Sequence, residues 1–544
     1  MCGIVGMIGA SWTDAEFQQL FNAIAYRGPD DSGMISIGSL RLGMHRLHLR
    51  GQSHPLPILT ENGYVAFNGQ VYGIHKPDGS VICAAPGLIN EVTAIRQGVA
   101  DGMYAVVFVE KNGSELLLKT DPQFVKPLFY AQSTQGIAFC SEMAPLLPLI
   151  KSFGINRTAL AELFTYGWYL NEQTWINEIS IVIQHDLRVK GEHIHKQVRS
   201  HMPTQYHDAL PTLRNAVRDS IRRCIDGTGP FGLALSGGLD STILAWELNA
   251  LGVEDIHTIS IMLPENQDGV ENLASLGLPR GGSWRSWNHH VVKLETDDDF
   301  VSAFQTAAVR FGQPTTMSSL PLVWRLSETA AEVGIRVMLT GEGVDELFCG
   351  YGSYAKVEAL QHPLDYYRHP QREALVNLLF GDNSFKLIRN RLEHRYHGVS
   401  DLRYVERDLR LARLLLRNDI CFMNHSIEGR VPFLHNSIPN QALRTPWKDL
   451  VQNGGKASIR AAWREELGVS ADRPKTRLKA SDQILKRCIQ PHHLGERIKS
   501  SVAHMFNSQC LYQCMDILQS DSGFDADIAS LLISLCFIQE QVSI

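Results

Sequence analysis

The chain has 544 residues, 44% of them hydrophobic and 20% charged, too many for one core, so roughly two to four domains are expected. A net charge of −6 offers no basic surface for nucleic acid or an anionic membrane, and no apolar run approaches the ~20 residues of a membrane span. Trp12–Glu16 breaks any signal-peptide pattern, and the ten cysteines are scattered without a zinc spacing, Cys510 and Cys514 lacking a second pair, so reduced thiols in a cytoplasmic protein are expected.

Cys2 follows the initiator directly. Removal of Met1 would leave it an α-amine titrating near ~7.7–8.0, able to serve as base for its own thiol. Position alone leaves open a small buried apolar residue instead. Up to about residue 190 the sequence predicts short strands and few long helices, with apolar or β-branched runs at Leu40–Met44, Tyr64–Phe67 and Ala105–Val109. Lys190–Pro203, polar with three histidines, predicts a linker. Leu213, Val217, Ile221 and Cys224 then follow helical spacing. Phe231–Leu235, His257–Met262 and Val337–Thr340 read as strands, with a helix over Thr242–Trp246. This alternation predicts a parallel sheet covered on both faces. The tail beyond about Asp482 reads as helical and carries no evident chemistry.

Two loops concentrate the chemistry. Ser236-Gly237-Gly238-Leu239-Asp240-Ser241 follows a strand and opens a helix, so its backbone can approach an anion while the helix end supplies free N–H groups. Ser236 and Ser241 add hydroxyls, and Asp240 is placed to hold magnesium against phosphates. No Gly-Lys-Ser/Thr follows, so this is not the loop of P-loop NTPases. The second loop, Leu339-Thr340-Gly341-Glu342-Gly343-Val344-Asp345-Glu346 running on to Gly350-Tyr351, suits a metal–nucleotide site at a sheet's C-terminal edge, although alone it could be solvated surface.

The first loop resembles the pyrophosphate-binding loop of ATP pyrophosphatases, and the two together resemble the asparagine synthetase family. Ser426–Leu434 is similar to the family's Glu-Ala-Arg-Val-Pro-Phe-Leu-Asp block, with His435 in place of Asp, and Gly455-Lys456 with Arg460 to its catalytic lysine segment. In the first half Cys2-Gly3-Ile4, Arg27-Gly28-Pro29-Asp30, His45-Arg46-Leu47, Asn68-Gly69, Asp121-Pro122, Lys126-Pro127 and Ser141-Glu142 resemble, in order, a class II glutamine amidotransferase. The resemblance covers roughly residues 1–480. It implies an α+β N-terminal-nucleophile amidotransferase domain of stacked antiparallel sheets (1–190), then an α/β parallel-sheet ATP pyrophosphatase-type domain (205–544). It also implies residue roles. Cys2 would be the thioester nucleophile, with Asn68 and Gly69 as its oxyanion hole, and Arg46, Leu47, Asn68, Gly69 and Gln70 would bind glutamine. ATP would lie against Leu235, Ser236, Gly237, Gly238, Asp240, Ser241, Ile261, Thr340 and Gly341, with Asp240 and Asp345 at magnesium. Glu342 would take a proton from ammonia, and Lys456 would meet charge on the phosphates.

Several positions depart from the family. Gln70 replaces a Glu, and Ile89 falls where the family has a glutamine-binding Asp, unless a one-residue shift brings Asn90 or Glu91 there. A hydrogen bond to a charged group is worth roughly 1.5–3 kcal/mol, so losing both carboxylates would weaken glutamine binding by orders of magnitude. Thr340 replaces Ser, Cys349 and Met262 replace glycines, Gln123–Val125 lacks a glycine, and Leu276–Trp287 replaces a regular helix with Gly, Pro and Trp. The resemblance implies a cytoplasmic glutamine-hydrolysing asparagine synthetase using ATP and Mg2+. Its partners would be small molecules, not nucleic acid or membrane, with a homodimer left open. A homologue acting on a different carboxylate, or on ammonia alone, and a non-catalytic binding protein stay as alternatives.

Overall fold

The computed structural model describes residues 2–50, 54–76, 81–83, 88–191, 193–198, 211–226, 229–262, 286–360, 362–399, 401–472, 482–520 and 522–542. The first half opens with β1 (Cys2–Ile8), α1 (Asp14–Ala23), β2 (Asp31–Ile37), β3 (Leu40–Arg46), β4 (Ile58–Thr60), β5 (Gly63–His75) and β6 (Val81–Cys83). It continues through α2 (Leu88–Gln97), β7 (Ala100–Glu110), β8 (Glu115–Thr120), β9 (Phe129–Ser133), β10 (Gly136–Cys140), α3 (Arg157–Tyr166), β11 (Ile179–Ile181), β12 (His185–Lys190) and β13 (His193–Val198).

These strands form two antiparallel sheets, ordered β11-β9-β10-β1-β3-β2 and β13-β12-β8-β7-β5-β4, with β6 on β5. Side chains alternate across each sheet. Cys2, Ile4 and Ile8 of β1 therefore join Ala66 of β5 and Ala105 and Val107 of β7 in the layer between the sheets. Val65, Phe67 and Val71 of β5 point the other way, onto Val92 and Ile95 of α2. That alternation turns Asn68 and Gln70 toward the layer that holds Cys2. Gly6 belongs in β1 because a Cβ there would lie 2.1 Å from the Phe139 ring.

The linker expected over Lys190–Pro203 is corrected in part. His193–Val198 is β13, paired with β12 from His185↔Val198 to Lys190↔His193, with Ile194 packed on the inter-sheet core. It is an edge strand, and its polar outer face hid it. The rest of that segment lies outside the described residues.

The second half gives α4 (Leu213–Ile225), β14 (Phe231–Ala234), α5 (Leu239–Ala250), β15 (His257–Met262), β16 (Asn288–Lys293), α6 (Asp297–Phe311), α7 (Leu320–Glu332) and β17 (Val337–Leu339). Then come α8 (Val344–Leu347), α9 (Pro370–Phe380), α10 (Ser384–Arg395), α11 (Leu402–Glu406), α12 (Ala412–Met423) and β18 (Glu428–Arg430), with further helices to Val542. The sheet is parallel throughout, ordered β16-β15-β14-β17-β18. Strand order reverses between β14 and β17, and such a switch point opens a crevice at the strands' C-terminal ends. Both chemistry-bearing loops emerge there, one after β14 and one after β17. The spacing read for α4 holds, with Val217, Ile221 and Cys224 buried.

One continuous core joins the two halves, from Val5 and Phe21 through Leu160 and Trp175 to Phe304, Leu416 and Phe537. Polar contacts cross with it. Trp175 Nε1 donates to the Gly312 carbonyl at 3.1 Å, and Ser426 Oγ to the Tyr26 carbonyl at 2.6 Å. The segment Leu276–Trp287, where the sequence departs from its resemblance, lies outside the described residues except for Ser286 and Trp287.

Candidate active sites

The first centre lies between the antiparallel sheets. Cys2 is buried, and its backbone N–H donates to Asn68 Oδ1 at 3.0 Å. Asn68 Nδ2, also buried, has no partner among the described residues, so the side chain that holds the Cys2 N–H keeps an unused amide donor. Gly69 has φ +140°, and a Cβ there would sit 2.0 Å from the Met103 carbonyl oxygen, so only glycine fits. Burial pushes the Cys2 thiol up, while the positive amino terminus, Arg46 and Arg27 pull it down and Glu428 pushes it up. A thiol raised in this way needs a nearby base to react at neutral pH.

Arg46 faces Cys2 across the β1–β3 register, its Nη2 2.8 Å from Asp31, and Leu47 beside it is buried. Gln70 is buried, with Nε2 lacking a partner among the described residues. Glu91 is held by Arg50 at 3.3 Å, and Arg50 also donates to the Val71 carbonyl. Glu91 is therefore engaged in a structural pair. Ile89 falls in α2, but its side chain lies outside the described residues, and Asn90 is exposed.

The second centre is built at the switch point. Gly237 has φ +70° and Gly238 caps α5, which starts at Leu239. Ser241 Oγ accepts from the Ser236 N–H at 3.2 Å and donates to the Gly238 carbonyl at 3.1 Å, closing the loop on itself. Leu235 below it is buried and takes a hydrogen bond from Ser260. Ile261 lies near the end of β15, partly buried. From the other loop, Thr340 donates its N–H to the Arg430 carbonyl at 3.0 Å, while its Oγ1 has no partner among the described residues. A Cβ on Gly341 would lie 2.8 Å from Asp240 Cβ, so this glycine lets the loops touch.

Lys456 ties the loops together. Its Nζ lies 2.6 and 2.7 Å from the two Asp240 oxygens and 2.6 Å from Asp345 Oδ1. It is 3% exposed and adopts φ +59°, rare for a non-glycine residue, with its N–H on the Phe348 carbonyl at 2.9 Å. Gly350 and Gly455 make room for it: a Cβ on Gly350 would lie 2.1 Å from both Asp345 Oδ1 and Lys456 Cε, and one on Gly455 2.2 Å from the Cys349 carbonyl oxygen. Cys349 itself has φ +58°, which accounts for the glycine that the resemblance puts there. Asp240 and Asp345 thus converge on one cationic point. Two carboxylates, with phosphates completing the shell, suit Mg2+. No described group of three or more acidic, His or Cys residues forms a self-sufficient metal site.

Glu342 accepts from Arg417 Nη2 at 2.5 Å and from Asn418 Nδ2 at 3.4 Å, and Arg417 Nη1 donates to Ser319 Oγ at 2.7 Å. Burial, with Asp345 beside it, pushes Glu346 up to about 7, and Tyr351 donates to it at 2.6 Å. The sequence reading missed Arg417, Asn418 and Ser319, and it took Tyr351 only as the end of the second loop's motif, without a role. Its one available signal was three polar residues, Arg417-Asn418-Asp419, interrupting the apolar helix Leu414–Phe422.

A two-sheet domain whose Cys2 N–H is held by an asparagine side chain is joined to a parallel-sheet domain with a phosphate-type loop at its switch point, the two-domain architecture that the sequence resemblance implies. The chain belongs to the asparagine synthase family, whose pattern matches residues 212–527, while residues 1–77 and 91–199 match the glutamine amidotransferase domain. It is similar to glutamine-hydrolysing asparagine synthetase 1 of Bacillus subtilis (24% identity, covering 66% of this chain and 60% of that one). It is also similar to asparagine synthetase 3 of B. subtilis (24%, covering 85% and 84%) and asparagine synthetase 3 of Arabidopsis thaliana (24%, covering 64% and 61%). The match thus spans less than two thirds of the length of the first and last of these relatives. Among the described residues no helix is long and apolar enough to cross a membrane.

Proposed function

We propose that the chain is an ATP-dependent, amide-forming ligase that takes nitrogen from glutamine and transfers it to a carboxylate, with aspartate, giving asparagine, as the first candidate. The observation that carries this reading is Lys456 clamped between Asp240 and Asp345 at the mouth of the Ser236–Ser241 loop. A buried cation held there would turn to the charge that develops on phosphoryl oxygens once Mg2+ took the two carboxylates.

At the first centre the Cys2 thiol, deprotonated by the α-amine that Met1 removal would free, attacks the glutamine amide carbon. Asn68 Nδ2 and the Gly69 N–H receive the oxyanion, ammonia leaves as the thioester forms, and water releases glutamate. Arg46 takes the glutamine α-carboxylate. At the second centre the acceptor carboxylate attacks the α-phosphorus of ATP and pyrophosphate leaves. Lys456 and the loop N–H groups hold the phosphates, and Leu235, Ile261, Thr340 and Gly341 flank the nucleoside. Mg2+, held by Asp240 and Asp345, would neutralise phosphate charge. Ammonia then attacks the acyl carbon, Glu342 takes the nitrogen's proton, and AMP departs. Passage of ammonia inside the protein keeps it unprotonated. Small-molecule substrates and net negative charge fit a cytoplasmic enzyme of amino-acid biosynthesis.

Cys2→Ala should abolish glutamine-dependent amide formation and leave the ammonium-dependent reaction within about threefold of wild type; equal loss of both would sink the coupled reading. A second reading, a homologue amidating another carboxylate or relying on ammonia, is favoured by Gln70, a neutral amide buried with an unsatisfied donor. A pyrophosphate-release screen across carboxylates, with glutamine against ammonium, separates the two.

A further inference from the structure

A buried cluster of four charges lies where the two halves of the protein meet. Arg27 Nη1 pairs with Glu142 at 2.6 Å, Arg27 Nη2 with Asp419 Oδ2 at 2.8 Å, and Lys126 Nζ with Asp419 Oδ1 at 3.0 Å. All four side chains are 0–1% exposed. The remaining nitrogen, Arg27 Nε, donates to the carbonyl of Cys2 at 3.4 Å. Arg27, Lys126 and Glu142 come from the amidotransferase half and Asp419 from α12 in the other half.

Two residues before Asp419, Arg417 pairs with Glu342 at 2.5 Å, and Asn418 donates to the same oxygen. Residues two apart on an α-helix point about 200° apart. Arg417 and Asp419 of α12 thus present a cation to the acyl-transfer carboxylate on one side and an anion to the nucleophile's support on the other. The pairs on Asp419 are fully desolvated, so removing its charge leaves Arg27 and Lys126 uncompensated, whereas the Arg417–Glu342 pair is buried on the arginine side and open on the carboxylate side.

We propose that Asp419 is a positioning residue for the Cys2 centre, and that Arg417–Asn418–Asp419 makes glutamine hydrolysis answer to the state of Glu342. The proposal rests on the function proposed above. Glu342 is 23% exposed and can be reached by substrate, whereas Arg417 is 3% exposed. When the acceptor engages Glu342, ahead of the incoming nitrogen, Arg417 loses its hold on that counter-charge and keeps, among the described residues, the neutral Ser319 and Asn418. The stiff turn between residues 417 and 419 carries that change to Asp419, which sets how Arg27 holds the Cys2 carbonyl. Ammonia is then released when an acceptor is ready for it.

The test compares wild type with Asp419→Asn in the full chain. Glutamate release from glutamine is measured without nucleotide, then with MgATP and aspartate, or with whichever carboxylate supports pyrophosphate release in wild type. Wild-type hydrolysis should rise about fivefold or more with the second additions, within the usual range of coupling between sites. In Asp419→Asn the ratio should fall to about one, while ammonium-dependent pyrophosphate release stays within about threefold of wild type. A merely structural role would lower the rates and the thermal midpoint yet leave the ratio as it is. A wild-type ratio of one, or an unchanged ratio in the variant, overturns the proposal. Should Asp419→Asn fail to fold, Lys126→Met with Asp419→Asn keeps the Arg27–Glu142 pair in charge balance and carries the same comparison. Wild type releasing neither glutamate nor pyrophosphate would instead defeat the underlying function, and it is visible before any variant is made.

Discussion

Gly350 sits 2.1 Å, measured from a Cβ it does not have, from Asp345 Oδ1 and from Lys456 Cε. Neither atom can yield cheaply, because the lysine is pinned by three carboxylate oxygens and its stem is buried. Gly350→Ala should therefore push Lys456 out of register with the phosphate loop. Pyrophosphate release should fall by about 100-fold or more, the scale of losing one fixed transition-state contact. Glutamate release without nucleotide should stay near wild type. A variant with full pyrophosphate release would show that Lys456 has no part in holding the phosphates. At this scale the sequence was most legible where a motif is local: the residues of the Ser236–Ser241 loop bond mainly to one another. Arg417 was illegible for the opposite reason. Its partner Glu342 lies 75 positions earlier, and nothing in either neighbourhood marks the pairing.

At the scale of elements, α3 shows how a helix can be locally well specified and globally unforeseen. Asn156 Oδ1 accepts from the Ala159 N–H at 3.1 Å at its start, and Gly167 with φ +77° ends it. Every residue from Ala159 to Tyr166 is buried, so no amphipathic stripe betrays the helix in the sequence. β13 failed in the converse way: its histidines and lysine look like linker, and only pairing with β12 makes it a strand. Parallel strands β14 and β17 were legible as short apolar runs ahead of a glycine loop, as strands buried in a parallel sheet tend to be, and β15 through its β-branched Thr258, Ile259 and Ile261 despite His257 and Ser260. Asn156→Ala should cost about 1 kcal/mol of stability by removing the cap. It should be read as a lower urea midpoint with an unchanged slope, and with both half-reactions intact at temperatures below the transition. A loss of activity without a loss of stability would mean that α3 does more than support.

At the scale of the whole molecule, the seam between the halves is held partly by charge, and charge makes it sensitive to pH. Asp101 of β7, 6% exposed, accepts the Asn436 N–H at 3.0 Å and lies 3.8 Å from His435 Nδ1. Burial alone would raise its carboxyl, but the hydrogen bond and charge of His435, the charge of His75 and the Asn436 N–H together hold it below the ordinary value of 3.8. A carboxyl depressed on folding binds fewer protons in the folded chain than in the unfolded one. The stability it contributes is therefore fully present above the unfolded value, near ~3.9, and is lost as pH falls through the lower folded value. Asp101→Asn removes that contribution and cannot titrate. The stability gap between wild type and Asp101→Asn, from urea unfolding, should close as the pH drops below about 4. Asp101→Asn also leaves His435 facing a neutral amide, so the glutamine-dependent reaction should suffer more than the ammonium-dependent one if the seam keeps the two centres in register. A gap that stays constant to pH 3 would show that Asp101 is not ionised in the folded protein, and that shape rather than charge closes the seam at this point.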